Sequence, residues 1–273
     1  MNSKSFIFKI LAIIFSCSLK AQYSEVGVFG GGTNFIGDVG DYGFHLPKDY
    51  TAGIFYRYNF NEHWALRVQA TYGRIRNADS LSDFPDRLNR NLSFESEIWE
   101  GFAALEFNFL RFDPGTKFNH TPYVLGGFGM FAFNPKTEYQ GELYELRTLG
   151  TEGQNTRGSG QGFYPEASSF FVFGMGYKWA VGDFTTIGFE ATFRSTNTDY
   201  LDDVSGKYAD PELIEQAHGE VAAALSDRSL SQTNTEANYR GNPANDDWYI
   251  FTGITLQFKF GELYEKCASF VGR

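Results

Sequence analysis

Cysteine, methionine and proline are scarce in this chain, with two, three and eight residues among 273. The cysteines are Cys17 and Cys267, and Cys17 falls in an N-terminal leader. The mature chain is therefore expected to keep only Cys267, so no internal disulfide holds the fold together. Long apolar runs are missing too. The stretch 10–17 is far below the roughly 20 residues of a membrane-spanning helix. Preceded by Lys4 and Lys9 and followed by Leu19-Lys20-Ala21, it reads as a secretory signal peptide over 1–21, with Gln22 opening the mature chain. Ile14-Phe15-Ser16-Cys17 offers an alternative, a lipoprotein processing site that would leave a lipidated Cys17. Positive charge is in deficit, 23 Lys and Arg against 33 Asp and Glu, for a net charge of −10. With no basic stripe, nucleic acid is excluded as a partner.

Histidine is also sparse. His45, His63, His120 and His218 share no helix-turn spacing and no cysteine pair, so no zinc site is expected. No Ser-His-Asp arrangement is recognisable in the loops. Gly158-Ser159-Gly160-Gln161-Gly162 lacks the Lys-Ser/Thr ending of a phosphate loop. The expectation is a protein that is not an enzyme and has no cofactor, no metal and no small-molecule substrate.

What is abundant is aromatic and glycine, with 29 Phe, 16 Tyr and 30 Gly, a composition that favours an all-β chain. Period-two alternation supports it. Ile250, Thr252, Ile254, Leu256, Phe258 and Phe260 alternate with Phe251, Gly253, Thr255, Gln257 and Lys259. The same pattern runs through Ile187 to Arg194, Phe171 to Trp179, Thr51 to Phe60, Trp64 to Gly73 and Trp99 to Phe109. Stretches 23–36 and 121–131 are too rich in glycine to read cleanly. The count is about eight strands of the length needed to cross hydrocarbon at a tilt, and an open edge in lipid would leave backbone groups unpaired. The expected fold is a transmembrane antiparallel β-barrel occupying 22–273, with long extracellular loops and a short loop helix. Short links near 61–62, 111–120 and 182–183 alternate with long ones, the asymmetry between periplasmic turns and external loops. Both termini are then expected in the periplasm of a cell outer membrane, with a periplasmic tail over 261–273.

On the lipid side, Trp64, Tyr72, Trp99, Tyr177, Trp179, Phe258 and Phe260 are placed as an interfacial girdle. On the inner side, Arg57, Arg67, Glu100, Glu106, Lys178, Glu190, Arg194 and Lys259 should meet in a lumen only wide enough for side chains. A structural ion-pair network is expected there rather than a proton path or catalytic site. In the largest loop, 195–247, Asp210 and Pro211 signal the start of one short helix carrying Leu213, Ile214, Ala217, Val221 and Leu225. Asp199, Asp202, Asp203, Asp246 and Asp247 have the hardness to suit calcium, but without EF-hand spacing they are expected to be solvated. The glycine-rich loop 133–165 is expected to be flexible.

Particular strings add a resemblance. Gly31-Gly32-Thr33-Asn34-Phe35-Ile36-Gly37-Asp38, Arg90-Asn91-Leu92-Ser93-Phe94 and Leu105-Glu106-Phe107-Asn108-Phe109 come first in the chain. Thr121-Pro122-Tyr123, Phe133-Asn134-Pro135-Lys136, Leu149-Gly150-Thr151-Glu152-Gly153-Gln154 and Thr198-Asp199-Tyr200-Leu201-Asp202-Asp203-Val204-Ser205 follow. Taken in this order they make the chain resemble the PorG family of the type IX secretion system of Bacteroidota. The resemblance implies an outer-membrane assembly component associated with a periplasmic ring lipoprotein and its companion protein. It implies no catalytic residue or cofactor. Such a ring could reach only the turns 61–63, 111–120 and 181–184 and the tail 261–273. The alternative reading is a stand-alone surface barrel that binds a ligand or partner through its extracellular loops.

Overall fold

The protein is described here from a computed structural model, over residues 23–41, 47, 49–231 and 234–260. The expected signal peptide and the tail 261–273 lie outside the described residues. Eight strands form the wall: β1 Tyr23–Ile36, β2 Asp49–Asn59, β3 Trp64–Ala78, β4 Ser93–Asn108, β5 His120–Tyr139, β7 Ala167–Ala180, β8 Thr185–Thr196 and β9 Trp248–Phe260. A ninth, β6 Glu142–Glu145, pairs with the far end of β5 and lies outside the closed wall. Each wall strand pairs antiparallel with its sequence neighbour, β1 pairs with β9, and β4–β5 completes the ring. Closure leaves no unpaired edge in the wall, which is the condition for strands to lie in hydrocarbon.

The wall strands run from 11 to 20 residues, more than the roughly 9–11 needed to cross a bilayer. The surplus of β3, β4 and β5 projects at the end where the long connections lie. Short connections, 60–63, 109–119 and 181–184, occupy the other end.

The alternation read from sequence sets the two faces. Val68, Trp99, Phe128, Met175, Phe189 and Ile254 are exposed on the outside, while the residues between them point inward and are buried. An apolar belt of this extent encircling a polar interior is the inverse of a soluble barrel, and it is stable only against lipid. The two glycine-rich strands take clear registers. A Cβ on Gly31 would lie 2.0 Å from the Thr252 carbonyl oxygen, and one on Gly127 2.0 Å from that of Ala103. The glycines thus permit close approach of adjacent strands at the cost of a visible sequence period.

Two expectations about the long loops change. The loop between β8 and β9 carries two helices, α3 Pro211–His218 and α4 Glu220–Ser226, rather than one. Asp210 caps the first, its Oδ1 accepting from Glu212 N at 2.9 Å, but Gly219 at φ 92° breaks the helix between Ala217 and Val221. The glycine-rich stretch after β5 is built into the structure as α2 Leu146–Leu149 and a series of turns, with Leu146, Thr151, Gln154 and Tyr164 buried. A further short helix, α1 Pro85–Arg90, follows β3.

Candidate functional site

The interior is layered. Toward the short-turn end, β2 presents Arg57 at the centre of an ionic group. Its Nε donates to Glu106 Oε2 at 3.0 Å, and its Nη1 donates to Glu25 Oε2 at 3.1 Å and also to Gln257. Glu106 also accepts from Lys178 Nζ at 2.5 Å, so one carboxylate from β4 is shared between cations of β2 and β7. Beside it, Arg67 pairs with Glu190, which in turn accepts from Tyr123 Oη at 2.7 Å. Higher in the lumen Arg194 grips Glu100 through Nε and Nη2 at 3.1 and 2.7 Å, and Tyr249 Oη donates to the same carboxylate at 2.7 Å. Arg67 lies over the Phe55 ring and Arg194 over Phe251, each 4.2 Å from the centroid.

These charges balance: Arg57, Arg67, Lys178 and Arg194 face Glu25, Glu100, Glu106 and Glu190, all buried. Pairing with opposite charge is the form in which a low-dielectric interior tolerates ions. The structure places Lys259 away from this group, at the short-turn mouth, where its Nζ donates to Asp113 Oδ1 at 3.0 Å and lies 4.3 Å from the Tyr23 ring. There the connection after β4 folds inward. Phe112 is completely buried, with Lys178 Nζ 4.7 Å from its ring. Sequence reasoning missed Glu25, Tyr123, Asp113 and Phe112. The first two sit on the glycine-rich strands, and the last two on a connection whose inward course has no local signature.

Above the ionic layers, Phe29, Ile98, Phe131, Phe133, Phe170 and Phe251 form an apolar core continuous with Leu146, Leu201, Val204 and Leu225 of the loops. The long loops close over it as a cap. Asp79 pairs with Arg90 and accepts from the backbone of Gly40 and Leu92. Arg90 donates to the carbonyls of Asp38 and Arg240. Arg240 donates to the Asp203 carbonyl at 2.6 Å and to Glu152 at 3.3 Å, and Glu152 accepts from Ser205 and Gly206. Tyr164 Oη donates to Asp203 at 2.7 Å, while its ring stacks on that of Tyr200 at 4.5 Å. All four long loops are thus joined through buried polar groups, and the residues that join them lie largely in the strings singled out above.

The expectation of solvated acidic residues is overturned for four of the five: Asp199, Asp202, Asp203 and Asp247 are buried, and Asp246 alone is exposed. Asp202 and Asp247 are drawn inward because the loop backbone needs acceptors, and Asp203 because it accepts the hydroxyls of Thr151 and Tyr164. Asp202 takes the amides of Val39 and Val204, and Asp247 that of Leu201. Burial pushes Asp199 up to about 7, with Asp38 and Glu152 adding to the effect and Ser205 beside it opposing. Burial also raises Asp203, to about 6, against the pull of Arg240. Asp202 and Asp247 are held well above the usual carboxylate range, by burial first and by neighbouring carboxylates second.

The outer girdle is mixed. Trp99, Trp179, Phe258 and Phe260 are exposed, whereas Trp64, Tyr72 and Tyr177 are half-buried against aromatic neighbours, Tyr72 lying 4.7 Å from Trp99 and Tyr177 4.4 Å from Trp179. Of the histidines, His63 bonds the Asn108 carbonyl, His120 the Tyr177 hydroxyl and His218 the Gln154 carbonyl. His45 lies outside the described residues.

A closed eight-stranded wall, an apolar exterior and a lumen filled with paired charges define a transmembrane β-barrel of the outer-membrane class. The chain belongs to the family described as domain of unknown function DUF6089, which matches residues 4–150. The fold is similar to that of Ail, the attachment invasion locus protein of Yersinia pestis, at 11% identity over 88% of this chain and 100% of that one, with a TM-score of 0.43. It is also similar to the outer membrane protein OprG of Pseudomonas aeruginosa, at 11% identity, 89% and 98% coverage and a TM-score of 0.41. The outer membrane enzyme PagL is 13% identical over 86% and 98% of the two chains, with a TM-score of 0.30. These likenesses concern the barrel, and no activity is carried over from them. A search of curated proteins returns no match to this sequence.

Proposed function

We propose that this barrel is a non-enzymatic structural and assembly component of the type IX secretion machinery, anchoring a periplasmic ring lipoprotein and its companion protein to the outer membrane. The observation that carries the structural role is the lumen. It is packed with side chains from the Asp113–Lys259 pair at one mouth to the apolar core beneath the cap at the other. A barrel so filled leaves no path for cargo, so its contribution to export lies in what it holds. The choice of machine rests on the loop strings, through their resemblance to the PorG family. By the usual asymmetry of such barrels the short turns face the periplasm. The ring contact is therefore assigned to residues 61–63, 111–120 and 181–184 and to the tail 261–273.

Affinity isolation of the tagged protein from outer membranes in mild detergent, followed by mass spectrometry, tests this. Stoichiometric recovery of a ring lipoprotein and its companion is expected. A solitary barrel would transfer the assignment to a surface protein acting through its loops. In planar bilayers the purified barrel should be electrically silent, and a sustained conductance would refute the occluded lumen.

A further inference from the structure

Two polar cavities in the cap share one wall residue, a buried tyrosine. The first, about 370 Å³, is formed where α1 meets the segment 234–240 and is lined by Arg87, Asn89, Tyr208, Asn234, Asn238 and Tyr239. The second, about 320 Å³, lies between the glycine-rich stretch after β5 and the start of α3, with Thr156, Arg157, Ser159 and Gln161 in its wall. Tyr208 lines both. It is 7% exposed, and its hydroxyl has no hydrogen-bond partner among the described residues, although a buried tyrosine hydroxyl ordinarily finds one.

The lining of the first cavity narrows the ligand class. No aliphatic or phenylalanine side chain takes part, so there is no seat for an apolar group. Arg90 and Arg240 also reach this cavity, but Arg90 is held by two hydrogen bonds to Asp79, Arg240 is paired with Glu152 and Asp203, and Asp86 adds a carboxylate. A wall so neutralised does not select a polyanion. What it offers is a set of fixed neutral donors and acceptors. Asn234 Nδ2 donates to Asp227 Oδ1 at 3.0 Å, and Asn238 Oδ1 accepts from Thr235 N at 2.9 Å. Each amide is anchored by one end, which leaves Asn234 Oδ1 to accept and Asn238 Nδ2 to donate. At the rim Tyr239 is 66% exposed, yet its backbone bridges to Lys207, whose Nζ lies 5.0 Å from the ring centroid.

We propose that the two cavities bind a neutral or weakly acidic saccharide, with successive sugar units on either side of Tyr208. A sugar ring presents an apolar C–H face and a rim of hydroxyls that both donate and accept. The Tyr239 ring suits the face, while the anchored amides and the free Tyr208 hydroxyl suit the rim. With the short turns in the periplasm the cap faces the cell exterior, where the cell's own glycans and foreign ones both occur. The inference shares only that orientation with the assembly role, and binding is measured without any ring protein.

The test uses the full chain refolded in an amine-oxide detergent, because sugar-headed detergents would compete. The probes are arrayed neutral and uronate-containing oligosaccharides and the polysaccharide shed by the producing cells. Saturable binding is expected, of the shed polysaccharide if the cell's own envelope is the source and of arrayed oligosaccharides alone if the source is foreign. Tyr208→Phe, which removes only the unpartnered hydroxyl, should weaken binding about fivefold. Tyr239→Ala should weaken it about tenfold, and Leu143→Ala, exposed on β6, should bind as wild type. Failure to saturate with any probe, wild-type affinity in either tyrosine variant, or equal loss in Leu143→Ala would each overturn the proposal. Heat-modifiable mobility establishes that each variant is folded; should Tyr239→Ala fail to fold, the isosteric Tyr208→Phe decides alone.

Discussion

Replacing Glu106 by Gln tests whether the lumen is a dry ionic plug. Glu106 is completely buried, with Arg57 Nη2 at 2.9 Å and Lys178 Nζ at 2.5 Å. The amide keeps the shape and removes the charge, leaving two buried cations with only Glu25 close to Arg57. Breaking a buried pair on one side costs about 3–5 kcal/mol, and the remaining Glu25 puts this case at the lower end, about 3 kcal/mol. With an m value of about 2 kcal/mol/M in urea, the unfolding midpoint should fall by about 1.5 M. The emission of Trp64, Trp99, Trp179 and Trp248 in lipid vesicles reports the transition. Adding Lys178→Met to Glu106→Gln removes the orphaned ammonium and should recover at least about 1 kcal/mol, because the two sites share one contact. A loss below about 1 kcal/mol for Glu106→Gln, or no recovery in the double variant, would mean that water solvates these charges and that the lumen is not the plug described.

Three further outcomes follow from the wall and the cap. Gly126 and Gly127 are sequence neighbours on opposite faces: a Cβ at Gly126 meets nothing within 4 Å, whereas at Gly127 it strikes the Ala103 carbonyl. Gly126→Ala should fold normally and Gly127→Ala should lose about 2 kcal/mol, read by the heat-modifiable mobility of the barrel; equal behaviour would contradict the register of β4 on β5. Phe128, 73% exposed at mid-strand, should cost about 2–4 kcal/mol as Phe128→Arg in a bilayer, and an insertion yield equal to wild type would deny that this face meets lipid. Asp203, raised by burial from 3.8 to about 6, binds its proton more tightly folded than unfolded, so its contribution is full below pH ~4 and is lost as pH rises through about 6. That difference corresponds to about 3 kcal/mol. Urea titrations from pH 4 to 8 should show this slope in wild type and a flatter one in Asp203→Asn, and parallel profiles would remove Asp203 as its source.

The sequence by itself determined the alternation, and with it which side chains face the lumen and which face lipid. Period two is a local property of a strand, so Arg57, Arg67, Glu100, Glu106, Lys178, Glu190 and Arg194 could be placed inside without knowing the fold. The unequal connections likewise separated the two ends of the barrel. Glycine hid the same signal in β1 and β5, because residues chosen for close strand approach carry no side chain to alternate, and so Glu25 and Tyr123 went unseen. Only the tertiary structure decided which charges meet. Arg67 reaches Glu190 and Arg57 reaches Gln257 because β1 closes on β9 and the strand stagger sets the height of each side chain in the lumen. It also decided that Asp199, Asp202, Asp203 and Asp247 are buried: a carboxylate in a loop stays in water unless the folded loops close over it and offer donors, and for Asp202 and Asp203 those come from distant segments, the Val39 amide and the Tyr164 hydroxyl.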